Sequence, residues 1–282
     1  MKCWTIPPKP LSVIAIDMVA KISALFPENF PWLQQIHWFD TIDSTNDEAR
    51  KMARNGAPHG TVLIADQQTG GHGRRGRSFH SPAGSGIYMS VVLRPRCAPT
   101  ELMHLTCATA VAMCDAIESV VQIRPAIKWT NDLVWGKRKL GGILTELGFT
   151  KSGRVDYAII GIGINCQQTQ QDFPEDISAI AGSLAMMQKK EVDNSAVAAA
   201  MIHSLQEMDA QLLSHKAQIL SQYRKDCMTL GQEIVLIRGE EKRYGIARDI
   251  DPEGALVVEF QSGAVETVSS GEVSVRGMYG YV

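Results

Sequence analysis

The spacing of apolar and polar positions predicts a mixed fold. Residues 36–41 read as a strand. Asp43-Ser44-Thr45-Asn46-Asp47-Glu48 follows with a helix-start pattern. Ser44 can cap with Asp47 three residues on, or Thr45 with Glu48, and Asn55-Gly56 ends the helix. Residues 61–65 and 87–93 are short β-branched strands, and 100–121, rich in Ala, Cys, Met and Leu with little charge, predicts a long buried helix. Residues 123–129 read as a strand, and 133–135 with 140–147 as a β-hairpin turning at Gly136-Lys137. Residues 157–165 form a further strand whose alternate glycines, Gly161 and Gly163, suggest close approach of a ligand or another backbone. One helix-decorated, largely antiparallel sheet thus accounts for most of 36–165.

From Phe173 the pattern turns irregular, and 195–227 is helical in one or two pieces. Beyond Gly231 come short alternating strands at 233–237, 244–250, 255–260, 265–268 and 273–276, separated by glycine turns. They predict a small all-β barrel. The chain divides into a lead-in over 1–35 with one short helix near 16–25, a main domain over 36–228 and the barrel over 229–282.

Composition narrows the function. The formal net charge of −2 over 282 residues argues against a broad polyanion-binding surface, so any basic function is local. Six cysteines show neither a C-x-x-C pair nor zinc spacing, and reduced thiols are expected. Pro7, Pro8, Pro10 and Asp17 spoil a secretory signal. No stretch carries roughly 18 uninterrupted apolar residues, so a cytoplasmic protein with no membrane association is expected.

Charge concentrates in Gly70-Gly71-His72-Gly73-Arg74-Arg75-Gly76-Arg77. Glycine lets backbone approach a ligand closely, and arginine offers a planar fork of donors for phosphate or carboxylate. The formal G-x-G-x-x-G match fails as a dinucleotide motif because Ser78 to Gly84 cannot open a helix. A solvated basic turn and an anion clamp both remain readings of it. Lys128-Trp129-Thr130-Asn131-Asp132 and Arg138-Lys139-Leu140-Gly141-Gly142 form a second constellation. A hairpin-tip lysine is ordinarily solubility charge, but Gly141-Gly142 leaves room beside Lys139 for a bound group. Neither a histidine cluster at metal-ligand spacing nor a G-x-S-x-G elbow occurs.

Together, Asp43-Ser44-Thr45-Asn46, the Gln67 to Arg77 run, Lys128 to Leu133, Arg138 to Leu144 and Gly161-Ile162-Gly163-Ile164-Asn165 resemble the biotin–protein ligases, or biotin–[acetyl-CoA-carboxylase] ligases, from about Ile36 to Arg276. The resemblance implies an α/β (α+β) catalytic domain similar to class II aminoacyl-tRNA synthetases, with a largely antiparallel sheet, and a C-terminal SH3-like β-barrel. It implies that ATP with Mg²⁺ activates biotin as biotinyl-5′-AMP, which then passes to a lysine of a biotin carboxyl carrier domain. No metal ligands are evident. By the same resemblance Ser44, Thr45, Asn46 and Gln68 bind the biotin head group, and Gly71, His72, Gly73 and Arg74 cover it. Lys139 sits by the biotin carboxylate and the α-phosphate. Arg74, Arg77, Phe79, Asn131, Gly142, Asn165 and Arg276 surround the nucleotide. The resemblance further implies that Lys139 and Arg74 act as the catalytic cations, and Asp132, by its position, is expected to orient or deprotonate the acceptor amine.

Two positions depart from the family pattern. His72 replaces the usual arginine, supplying less permanent charge, and Thr130 replaces a proline, a change expected to cost turn rigidity more than chemistry. The lead-in is too short for a DNA-binding helix-turn-helix, so repressor activity and nucleic-acid partners are not expected, while a homodimer stays open. The nearest alternative is a lipoate or octanoate ligase of the same fold.

Overall fold

The computed structural model describes residues 13–269 and 272–275. Helix α1 (Val13–Ser23) leads to β1 (Ile36–Ile42), α2 (Thr45–Arg54), β2 (Thr61–Gln68) and β3 (Gly86–Leu93). Then come α3 (Leu105–Val121), β4 (Ala126–Lys128), β5 (Asp132–Trp135), β6 (Arg138–Phe149) and β7 (Val155–Asn165). Short α4 (Glu175–Ser178) and α5 (Leu184–Gln188) precede the long α6 (Asn194–Gln211) and α7 (Lys216–Asp226). The chain continues through β8 (Glu233–Arg238), β9 (Glu241–Ile250), β10 (Leu256–Phe260), β11 (Val265–Val268) and β12 (Glu272–Val275).

Strands β1 to β7 make one sheet in the order β1-β2-β3-β7-β6-β5-β4. Only β1 and β2 run parallel; the other neighbours are antiparallel. Every residue of β3 is buried, because both sheet faces are covered. Ala49, Met52 and Ala53 of α2 pack on Leu63, Val92 and Ile159 on one face. Val62, Val91 and Ile160 face the larger core with α3 and α6 on the other. The stretch from Pro99 to Val121 is long and apolar enough to cross a membrane. Most of it is the central core helix α3, with Ala110, Met113, Cys114 and Ile117 fully buried.

The lead-in is more than a tail. Ile22 of α1 is fully buried, and Phe30 and Trp32 join the same core as α6. The barrel strands form a five-stranded antiparallel sheet in the order β11-β10-β9-β8-β12, consistent with an SH3-like unit. It is seated on the main domain, since the Trp129 indole N–H donates to Gly254 O and the Trp129 backbone N–H donates to Thr229 Oγ1.

Several boundaries differ from the sequence expectation. Strand β4 starts at Ala126 because Pro125 has no N–H for the ladder. Helix α3 starts at Leu105 because Pro99–Leu102 forms a separate 3₁₀ turn. Strand β2 runs on to Gln68, held by β1 through Thr41↔Gln67 and Ile42↔Gln68.

Candidate active site

Parallel pairing of β1 and β2 brings their C-terminal ends together, so Gln68 lies beside the start of α2. Ser44 caps that helix, its hydroxyl accepting from Asp47 N. Gln68 Oε1 accepts from Thr45 N at 2.8 Å and Thr45 Oγ1 at 3.0 Å, and its amide nitrogen donates to Ser81 Oγ at 3.1 Å. Asn46 donates to Glu146 Oε2 at 3.0 Å and accepts from Ser90 Oγ at 2.6 Å. Arg50 grips both Glu146 oxygens and Asp47 Oδ1. Ser44, Thr45 and Asn46 are buried, so these bonds fix their orientation in a largely dry floor.

Ser90, Glu146 and Arg50 are absent from the sequence-based assignment. The signal for Ser90 was there: a small hydroxyl residue set in the apolar run of β3, where the structure buries it fully. Glu146 and Arg50 lie 96 positions apart, and nothing local marks their pairing.

The glycine-arginine loop lies across this floor. Its base is tied by Thr69 N to Ile42 O and Gly70 N to Asp43 O. A Cβ on Gly71 would come within 2.7 Å of Phe79 O, so only glycine fits. His72 Nε2 lies 3.0 Å from Asp47 Oδ2, and Arg74 donates to Thr130 Oγ1 at 2.7 Å and Asn131 Oδ1 at 2.8 Å. Burial opposes the Asp47 charge, but bonds from His72 and Arg50 outweigh it and hold the carboxyl below its ordinary value. Burial draws the Arg74 pKa down, with Asp132 opposing; the guanidinium stays charged. Arg75 and Arg77 are exposed.

Lys139 Nζ pairs with Asp132 Oδ1 at 2.7 Å. The Lys139 backbone is clipped to the 180–182 segment, its N–H donating to Ile180 O and its carbonyl accepting from Gly182 N. A Cβ on Gly142 would stand 3.4 Å from the end of the Lys139 side chain, so the glycine leaves that side open. Asn131 is locked to Ile143 through backbone and side chain, and Asn165 donates to Gly182 O at 2.9 Å. The alternate glycines of β7 make room for side chains: a Cβ on Gly163 would stand 2.5 Å from the Phe79 ring.

These groups line two adjoining cavities sharing Gly73, Arg74, Phe79, Asn131 and Lys139. The first, about 50 Å³, is bounded by Ser44, Thr45, Asn46, Gln68 and His72. The second, about 330 Å³, is bounded by Arg75, Arg77, Lys128, Asp132 and Asn165, with Phe173, Ile177 and Ile180 as an apolar wall from the stretch expected to be irregular. Gly142 lines the first cavity rather than the second. Gly71 is buried behind the loop, and Arg276 lies outside the described residues. Among the described residues no group of three or more His, Cys, Asp or Glu is placed to hold a metal ion.

Residues 38–165 match the biotin/lipoate A/B protein ligase family, and 229–276 match the biotin protein ligase C-terminal domain. The bifunctional ligase/repressor BirA of Bacillus subtilis is 34% identical over 84% of this chain and 73% of its own length. The biotin–[acetyl-CoA-carboxylase] ligase of Mycobacterium tuberculosis is 31% identical over 82% of this chain and 85% of its own. Among solved structures, the biotin protein ligase of Aquifex aeolicus in complex with biotin and ATP superposes with a TM-score of 0.70 at 29% identity, covering 86% of this chain and 99% of that one.

Proposed function

The chain belongs to the biotin protein ligase family, and on that premise we propose that it activates biotin with ATP and transfers it to one lysine of a biotin carboxyl carrier domain. The observation that carries this is the two-part cavity. An uncharged hydrogen-bonding floor suits a neutral head group, and it meets a cationic compartment at Arg74 and Lys139. Residues 36–228 would form the catalytic domain and 229–282 the barrel.

Ser44, Thr45, Asn46 and Gln68 would hydrogen-bond the head group, under Gly71, His72, Gly73 and Arg74. The biotin carboxylate would then point toward Lys139. Arg77, Phe79, Asn131, Gly142, Asn165 and Arg276 would surround the nucleotide. The obstacle to the first step is repulsion between a carboxylate and the α-phosphate. Lys139 and Arg74 are fixed donors where charge accumulates at phosphorus. A carboxylate oxygen attacks that phosphorus, pyrophosphate leaves, and a mixed anhydride forms.

The loop keeps water from that anhydride. In the second step the lysine ε-amine attacks the acyl carbon, AMP leaves, and the amine loses its proton as the amide forms. Asp132, in the second cavity and already holding Lys139, would orient the amine or take its proton. Mg²⁺ would enter with ATP as the MgATP substrate, held through phosphate oxygens and water. Asp132, the carboxylate lining that cavity, is already paired with Lys139. The proposed setting is the cytoplasm.

The test is to mix protein, biotin, MgATP and a biotin carboxyl carrier domain and look by mass for biotin on one lysine. The matching family model also spans lipoate ligases. A parallel arm with lipoate decides: modification with lipoate and none with biotin overturns the biotin assignment.

A further inference from the structure

Three neighbouring strands set Ser90, Gly161 and Leu144 side by side, in the register Ser90↔Gly161 and Leu144↔Gly161. Gly161 has no side chain, and Asn46 of α2 fills that place. The Asn46 amide therefore lies across the sheet, with β3 at one end and β6 at the other. Alternation along β6 puts Glu146 on the same face as Leu144. Leu144 and Asn46 line the first cavity, whereas Glu146 and Arg50 stand behind it.

The two ends of this amide meet opposite chemistry. Asn46 Nδ2 donates to Glu146 Oε2 at 3.0 Å and to Leu144 O at 3.4 Å. A carboxylate and a carbonyl only accept, so an amide oxygen turned toward them would face two acceptors. Asn46 Oδ1 instead takes the Ser90 hydroxyl hydrogen at 2.6 Å. Both amide hydrogens are thus used. Among the described residues, the capacity left over is one lone pair on Oδ1. Glu146 is in turn held in place: Arg50 Nη2 donates to both of its oxygens, and Arg50 Nη1 donates to Asp47 Oδ1 at 2.7 Å.

We propose that Glu146 and Ser90 are positioning residues that fix the polarity of the Asn46 amide, so that the cavity floor offers an acceptor and not a donor at this point. A head group recognised there brings an N–H, as a cyclic urea does and a dithiolane does not. The identity of that guest rests on the ligase reading; the fixed amide does not.

Two measurements on the full chain test this. In the first, adenylate formation is followed with biotin and MgATP varied in turn. Glu146→Ala should raise the biotin KM about tenfold or more, the scale of a polar group left unpaired, while kcat and the MgATP KM stay within about twofold. Glu146→Gln, which keeps an oxygen for Asn46, should stay within about fivefold of wild type. In an Asn46→Ala background, adding Glu146→Ala should move the biotin KM no more than about twofold, since Glu146 acts through Asn46. Ser90→Ala works at the other end of the amide and decides the matter if Glu146→Ala fails to fold. It should raise the biotin KM about threefold or more and leave the MgATP KM unmoved.

In the second, the Asn46 side-chain amide, identified by its loss in Asn46→Ala, is followed by nitrogen–proton NMR without biotin. Glu146→Ala should shift its protons toward the position of a free amide, and Glu146→Gln should shift them less. Unmoved protons in Glu146→Ala overturn the proposal. So do an unchanged biotin KM, equal rises in both KM values, or effects of Glu146→Ala and Asn46→Ala that multiply. Shifted protons in a protein that never adenylates biotin overturn the ligase reading and leave the fixed amide standing.

Discussion

A side-chain carbon on Gly161 would stand 2.0 Å from Asn46 Oδ1, so these two residues, on β7 and α2, share a space that holds only one side chain. Asn46 cannot step aside, because Ser90 and Glu146 hold both ends of its amide. Gly161→Ala is expected to cost about 1–3 kcal/mol of stability by overpacking and to raise the biotin KM about tenfold or more, the effect of losing a well-placed hydrogen bond. The ATP KM should hardly move. Steady-state kinetics with each substrate varied in turn, beside a melting curve, checks this; equal changes in both KM values weigh against the floor assignment.

Lys139→Ala is expected to slow adenylate formation about 100-fold or more, the scale for removing one preorganised donor at a developing charge. Folding should survive, since the Lys139 side chain is a third exposed and its backbone makes the bonds to 180–182. Pyrophosphate release is the readout. A near wild-type rate sinks the assignment.

Arg74 spans the two cavities, so Arg74→Ala should weaken retention of the adenylate as well as slow its formation. Free biotinyl-AMP should leak into solution about tenfold faster or more, the scale of one charged hydrogen bond. Rapid separation of protein from labelled adenylate measures it, and unchanged leakage removes Arg74 from the clamp.

His104 gives a pH prediction. It is fully buried, its Nε2–H donates to Leu212 O, and its Nδ1 has no partner among the described residues. Burial lowers its pKa, so the folded protein keeps this imidazole neutral while the unfolded chain protonates near its ordinary value of about 6.5. Below that value the unfolded state binds the extra proton, and stability falls as pH falls. The melting temperature should drop between about pH 7.5 and 5.5, and His104→Gln should drop less. Burial lowers His37 as well, leaving a residual slope in both proteins. Equal slopes would exclude His104 as a source.

Local signals marked what is local. The cap at Ser44, the hairpin turn at Gly136 and the alternating C-terminal strands are set by neighbours in sequence, and their elements lie within a few residues of where the pattern put them. The motif-bearing loops were visible because glycine and arginine together are costly to carry without use. Pairing across the chain was not visible. No periodicity states that β1 and β2 run parallel, yet that pairing places Gln68 beside Thr45. The His72–Asp47 contact spans 25 positions, and Ile22, Phe30 and Trp32 join a core whose other half lies more than a hundred residues on.

The seat of the barrel sets a limit on how this enzyme can be shortened. Trp129, 4% exposed, sends its backbone N–H to Thr229 and its indole N–H to Gly254, one residue before the Thr130 that receives Arg74. A version ending at 228 would strand two buried donors at about 1–3 kcal/mol each, at the turn that anchors the loop. Thr229 and Gly254 thus brace the turn beside the candidate site, so a minimal biotin-labelling tool cut from this protein is expected to need the segment that carries them.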